Sequence, residues 1–138
     1  MKQSTEMLRQ CACNRIRTVA RLVTKSYDDL LRPTGLKSSQ LAVLAAVDSL
    51  DAPSIAALSK ALFMDRTTLS RNLRPLVSAR LVELREDGRR KTIRMTAKGR
   101  NAIAAAFPIW RKAQEAMLRR VDDDLFDKMA RLLPSLPR

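Results

Sequence analysis

Between positions 66 and 91, ten polar side chains are candidates for binding phosphates and base edges, directly or by steadying a neighbour that does. Six lie in the stretch DRTTLSRNLRPL: Arg66, Thr67, Thr68, Ser70, Arg71 and Arg74. They combine long cations with short hydroxyls, and no acid is interleaved to pair with them. An exposed helix built only for stability more often mixes Glu with Lys at four-residue spacing. Short polar side chains and arginines near a helix N-terminus are what reading base edges and phosphates in a major groove requires. The other four, Asp87, Arg89, Arg90 and Lys91, fall in EDGRRK, between two runs that alternate apolar and polar residues. Three consecutive cations on a hairpin tip repel one another and have no core to stabilise, so a partner of high negative charge would explain them. The plainer alternative is an ordinary solvated face.

The charge balance favours the polyanion. The chain carries +13 overall, and Arg66 to Arg100 holds eleven Lys or Arg against Glu83, Glu86 and Asp87, a net of +8. A field that concentrated suits nucleic acid. Histidine is absent from all 138 residues, which removes His-based acid–base catalysis, Ser-His-Asp triads and most zinc sites. No Gly-rich phosphate loop appears. Neither an enzyme nor a cofactor or metal site is expected. No apolar run approaches the roughly 20 residues of a membrane span, and MKQSTEMLRQ has no signal-like apolar core; a cytoplasmic location, with no membrane partner, is the expectation.

Positioning these groups requires a mainly helical scaffold, as few glycines and aromatics and much Leu, Ala and Arg suggest. Steps of three and four from about Ser4 to Leu31 predict one long amphipathic helix, stopped by Pro33. Ser38 or Ser39 is expected to cap a helix with Leu41, Leu44, Val47 and Leu50 on its inner stripe. Ser54 would cap a short helix bearing Ile55, Leu58 and Leu62. Asp65 would cap the polar-faced helix, with Leu69, Leu73, Leu76 and Val77 inward and a kink expected at Pro75. Next comes a hairpin with Val82, Leu84, Ile93 and Met95 inward and Gly88 in the turn. Thr96 would cap a long helix with a bend at Pro108, and the aspartates at 122–124 would open a last one.

Two short helices, a polar-faced third helix and a β-hairpin, with long helices on both sides, make the chain resemble the multiple antibiotic resistance regulator (MarR) family. The most specific stretch is DRTTLSRNLRPLVSARLVELREDGRRKTIRMTAKG, where Asp87, Gly88 and Arg89, then Thr96 and Gly99, fit the family pattern, with Met95 in place of a Leu. The resemblance implies a winged helix-turn-helix, mainly α with a small β-hairpin, over residues 1–138. A DNA-binding lobe would span 36–100, and dimerisation helices would occupy 1–35 and 101–138. It further implies a homodimer on double-stranded, pseudo-palindromic DNA, with half-sites about 10 base pairs apart. Arg89 would enter the minor groove, steadied by Asp87, while Arg90 and Lys91 would contact phosphate. Many relatives have Gly where Arg80 stands, so a left-handed backbone there would cost about 1 kcal/mol.

Relatives that sense organic hydroperoxides carry a reactive Cys early in the first helix, and the spacing from Cys13 to Arg21, Thr24, Lys25 and Tyr27 resembles theirs. Arg15 and Arg17 would favour a thiolate at Cys13, open to sulfenic acid formation. Arg17 and Ser38, however, stand where tyrosines of that branch are expected, and Cys13 falls on the apolar stripe, where an inert buried thiol is the simpler reading. On a continuous helix Cys11 and Cys13 would point about 200° apart, unable to pair or to chelate one metal together. The family's effectors are often aromatic compounds bound between the dimerisation helices and the lobe. Tyr27, Phe107 and Trp110 could line such a crevice, or simply be core. The leading expectation is therefore a sequence-specific DNA-binding regulator, a repressor released by a small molecule or by oxidation. The alternatives are a thiol-based hydroperoxide sensor using Cys13 and a winged-helix interaction module that does not read DNA.

Overall fold

The computed structural model describes residues 2–136; Met1 and residues 137–138, the ends of the expected dimerisation segments, lie outside them. The chain runs α1 (Gln3–Gln10), α2 (Ala12–Leu31), a 3-10 turn, α3 (Ser38–Ser49), α4 (Ile55–Leu62), α5 (Arg66–Ser78), β1 (Val82–Asp87), β2 (Arg90–Met95), α6 (Ala97–Leu118), α7 (Asp123–Leu132) and a final 3-10 turn, Leu133–Ser135. This is the mainly helical arrangement with one antiparallel hairpin that the residue pattern implies. No helix among the described residues is long and apolar enough to cross a membrane.

The core is centred on α3, which buries Leu41, Val43, Leu44 and Val47 and touches α2, α4, α5, α6 and β2. Around it pack Leu58 of α4, Leu69, Leu73 and Leu76 of α5, Val82 and Ile93 of the hairpin, Ala106 of α6, and Leu31 and Leu36 from the α2–α3 junction. Fully burying each large side chain contributes roughly 1.5–3 kcal/mol. The core therefore fixes the inward face of α5 and leaves its polar face outside.

Several expectations need correction. The first helix is not continuous: Cys11 takes an extended backbone (φ −67°, ψ 111°) that separates α1 from α2. Neither Ser38 nor Ser39 caps α3; they are its first two residues. The N–H of Ser38 donates to Asp28 Oδ1 at 2.6 Å, and Gln40 Oε1 accepts from the N–H of Lys37 at 3.0 Å. Leu50 is 44% exposed at the C-terminus of α3, where the stripe has already left the core, and Val43 takes an inward place instead. α5 runs on through Pro75, and α6 through Pro108, so neither proline ends its helix, and the bends expected there are compatible with that continuity. At Pro75 the helix carbonyl left without a donor belongs to the exposed Arg71, where water can serve it.

Leu84 is 55% exposed although its register partner, Ile93, is fully buried. The reason is strand order. β2 is bonded on its other side to the α3–α4 loop, where the N–H of Ile93 donates to the carbonyl of Pro53 at 2.9 Å and Ser54 bridges Thr92. β1 is thus the outer strand, and its middle stands half open to solvent.

Candidate nucleic-acid interface

The N-terminus of α5 is set by Asp65. Its Oδ1 accepts the N–H of Thr68 and its Oδ2 accepts the Thr68 hydroxyl, both at 2.8 Å. These bonds from Thr68 hold the Asp65 carboxyl below its ordinary value. Helical spacing then places Arg66, Ser70 and Arg74 in one row and Thr67 and Arg71 beside it. All five are exposed, opposite the buried Leu69, Leu73 and Leu76. Thr68 is exposed as well, yet its hydroxyl proton is engaged by the cap, so it retains only acceptor capacity.

The turn between β1 and β2 has two central residues. Asp87 pairs with Arg90 across the register, Gly88 takes φ +60°, and Arg89 follows with a negative φ. Positive φ at the first central residue alone is the signature of a type II′ turn, which matches strand twist and suits glycine. Arg89 is thereby carried at the outermost point, with Arg90 and Lys91 on the strand behind it. Among the described residues, Arg66, Arg71, Arg74, Arg89 and Arg90 form no ion pair, whereas Lys91 Nζ lies 3.2 Å from Glu86 Oε1. The Asp87–Arg89 link implied by the family resemblance is likewise not formed among them. The cations of α5 and of the tip are left for an outside anion.

The hairpin is aimed by a short knot of bonds at the exit of α5. The N–H of Leu81 donates to the carbonyl of Leu76, and that of Arg80 to Val77, both at 2.9 Å, with Arg80 at φ +58°. This is a Schellman closure with arginine in the glycine position. Thr96 stitches α6 to it: its hydroxyl lies 2.8 Å from the carbonyl of Arg80 and 3.0 Å from that of Leu81, and it accepts the N–H of Gly99 at 3.0 Å. A Cβ on Gly99 would sit 2.1 Å from the Leu81 oxygen, so only glycine lets the two segments meet. Lys98 Nζ donates to the carbonyl of Ala79 at 2.9 Å, a further tie that the sequence reading did not include. Also left out was Arg94, exposed on β2. The alternation in RKTIRM, which puts it on the side opposite Ile93, was the signal available.

Away from this face, Tyr27, Phe107 and Trp110 come together on one cavity of about 460 Å³, with Val23, Thr24 and Leu41 among its other walls. The rings of Phe107 and Trp110 stack at 5.7 Å, and the Tyr27 hydroxyl donates to Gln114 Oε1 at 2.6 Å. Burial raises the Tyr27 phenol above its ordinary value, so it stays neutral. Phe107, at 51% exposure, is not a core residue.

The cysteines differ from expectation. Cys13 is exposed in the chain rather than buried on an apolar stripe, because none of the described residues covers that face of α2. Cys11 is exposed too and stands outside the helix, where its Sγ accepts the N–H of Asn14 at 3.4 Å. With the helix interrupted there, the geometric bar to a joint role for the two thiols no longer holds.

A helix-turn-helix formed by α4 and α5, followed by a two-stranded wing, defines a winged-helix protein. The MarR family profile matches residues 34–91. The transcriptional regulator MosR of M. tuberculosis is 32% identical, with 93% of this chain and 96% of that one covered at a TM-score of 0.83. The same regulator solved in complex with DNA gives 37% identity, 88% and 92% coverage, and a TM-score of 0.79. A mutant MarR from E. coli complexed with operator DNA shares the fold at 20% identity, with 95% and 98% covered and a TM-score of 0.80. No curated protein matches the chain. The chain belongs to the MarR family of winged-helix transcriptional regulators.

Proposed function

We propose that this chain is a sequence-specific DNA-binding repressor that acts as a homodimer. The observation that carries the reading is the set of unpaired cations, Arg66, Arg71, Arg74, Arg89 and Arg90, on a recognition helix and a wing tip whose backbones are rigidly set. Arg71 and its neighbours on α5 would read the major groove, Arg89 the minor groove, and Arg90 and Lys91 the phosphates. The MosR–DNA complex supports the reading, because that relative is bound to DNA through a chain of the same fold.

The partner subunit has a place to bind. Ile16, Val19 and Leu22 along α2, Met7 and Leu8 on α1, and Leu125, Phe126 and Met129 on α7 are all exposed in the single chain. Two copies that buried these faces against each other would present two α5 helices to successive major grooves, about 10 base pairs apart.

Titration with duplex DNA at several salt concentrations tests the whole proposal. Affinity should fall steeply with salt, with a log–log slope of about −0.9 for each phosphate neutralised, and a preferred sequence should bind at least about a thousandfold tighter than random duplex. A flat salt response, or equal affinity for every sequence, would leave the winged-helix interaction module as the surviving reading.

For the releasing signal, the aromatic cavity suits a small aromatic effector, seated against Phe107 and Trp110 with the Tyr27 hydroxyl as its polar contact. The exposure of both thiols favours a second reading, release by oxidation at Cys13 with Cys11 beside it. Hydroperoxide should then free the chain from DNA, and Cys13→Ser should abolish that release while leaving affinity in reducing buffer unchanged. A Cys13→Ser chain that still lets go would exclude Cys13 as the sensor.

A further inference from the structure

Phe63 ends α4 with φ 52° and ψ 35°, in the left-handed region. A bulky side chain seldom adopts that backbone, whereas Gly or Asn does so readily. Its ring is about half covered, at 51% exposure. What lies nearby is specific: Phe63 and Met64 line a groove of about 630 Å³ whose other wall is the C-terminal tail, through Leu133 and Leu136. Asp65 and Arg66, the cap and first residue of α5, border the same groove. The tail of the chain thus faces, across this groove, the turn from which the recognition helix springs.

We propose that Phe63, with Leu133 and Leu136, is a positioning residue for DNA recognition: the ring engages the tail, and that engagement fixes the α4–α5 turn and hence the N-terminus of α5. Phe63 is two residues before Asp65, so movement of its backbone is transmitted to the cap and to Arg66. With the tail in place the helix meets its groove already ordered; without it, that ordering must be done on binding and affinity falls. Because α7 also carries the exposed apolar face assigned above to the partner subunit, the tail would tie the subunit contact to the DNA-reading helix. This rests on the DNA-binding reading of the previous subsection.

The test uses the full chain and its preferred duplex, with three variants: Phe63→Gly, Phe63→Leu, and the double substitution Leu133→Ser with Leu136→Ser. All three positions are half-exposed, and thermal melting together with sedimentation checks that fold and dimer persist. Phe63→Gly and the double variant should bind about fivefold more weakly, with an unchanged salt slope and faster amide exchange across residues 64–69. Phe63→Leu should recover most of the affinity, since it restores an apolar contact. A residue that merely shaped the turn would behave oppositely, because Phe63→Gly relieves the backbone and would leave binding intact. Affinity equal to or tighter than wild type in Phe63→Gly or in the double variant overturns the proposal while the DNA-binding reading stands. Absence of duplex binding by the wild-type chain overturns both.

Discussion

Replacing Arg80 with glycine separates the strain at the exit of α5 from any use of the arginine side chain. Arg80 holds φ +58° because the Leu81-to-Leu76 and Arg80-to-Val77 hydrogen bonds close the helix only with a left-handed residue between them. That backbone costs an L-residue about 1–2 kcal/mol. Glycine would avoid this but has more freedom to lose on folding, an offset of about 0.5–1 kcal/mol. The net gain should be about 0.5–1 kcal/mol per chain, which corresponds to a rise in Tm of about 2–5 °C for a chain of this size.

Urea unfolding at fixed protein concentration is the suitable assay, since a dimer's midpoint moves with concentration. The midpoint should rise while the m-value stays constant, showing that the native state and not its exposed area has changed. Duplex affinity should be retained with the same salt slope if the Arg80 guanidinium contacts no phosphate; a slope smaller by about one would add Arg80 to the footprint. A midpoint that stays put or falls would refute the reasoning, because it would mean that the arginine side chain stabilises the fold by as much as its backbone costs.

Gly99→Ala should destabilise the chain by about 1–3 kcal/mol in urea unfolding, since its new methyl would meet the Leu81 oxygen at 2.1 Å; wild-type stability would mean that α6 can shift freely. Arg89→Ala should weaken duplex binding severalfold with the dimer intact by sedimentation, and unchanged affinity would mean that the wing does not dock. Arg71→Ala should cost on the order of 1–3 kcal/mol in binding and relax base preference at one position of a substituted-operator panel. Asp65 has its pKa lowered in the folded chain by the bonds from Thr68. Its cap therefore adds stability at pH values above its ordinary 3.8 and loses it as pH falls through the lowered folded value. Wild type and Asp65→Ala should differ in urea midpoint at neutral pH and converge in strong acid, and a constant difference would deny the cap its role.

What the sequence made legible follows from how local each feature is. The α5 cap, its inward leucines and the type II′ tip are decided within four residues, and Asp65, Leu69, Leu73 and Gly88 stand as their spacing implies. The break at Cys11 was not readable, because the apolar period continues across it and no Gly or Pro marks it. The α3 cap was missed because its partner, Asp28, lies ten residues back on another helix. Leu84 was misjudged because alternation reveals which residues share a face and is silent on whether that strand lies at the edge. Proline marked two places where a helix could bend or end, and at both the helix continues past it.

The same distinction separates two kinds of apolar residue here. Those of α3 and α5 are buried by their own chain, and their burial sets where the polar face of α5 points. Ile16, Val19 and Leu22 of α2 and Leu125, Phe126 and Met129 of α7 follow an equally regular helical period and remain exposed, because periodicity specifies a face and not what covers it. Cys13 shows the consequence. Whether its thiol is a reactive group or a packing residue depends on a surface that a second copy would supply, so its chemistry is tied to assembly in a way that Arg71 or Arg89 is not. A chain held monomeric by charges placed at Leu125 and Phe126 should therefore keep a folded lobe and lose tight operator binding, while Cys13 becomes more open to alkylation than in the dimer. Equal labelling rates in the two states would place Cys13 outside the subunit contact.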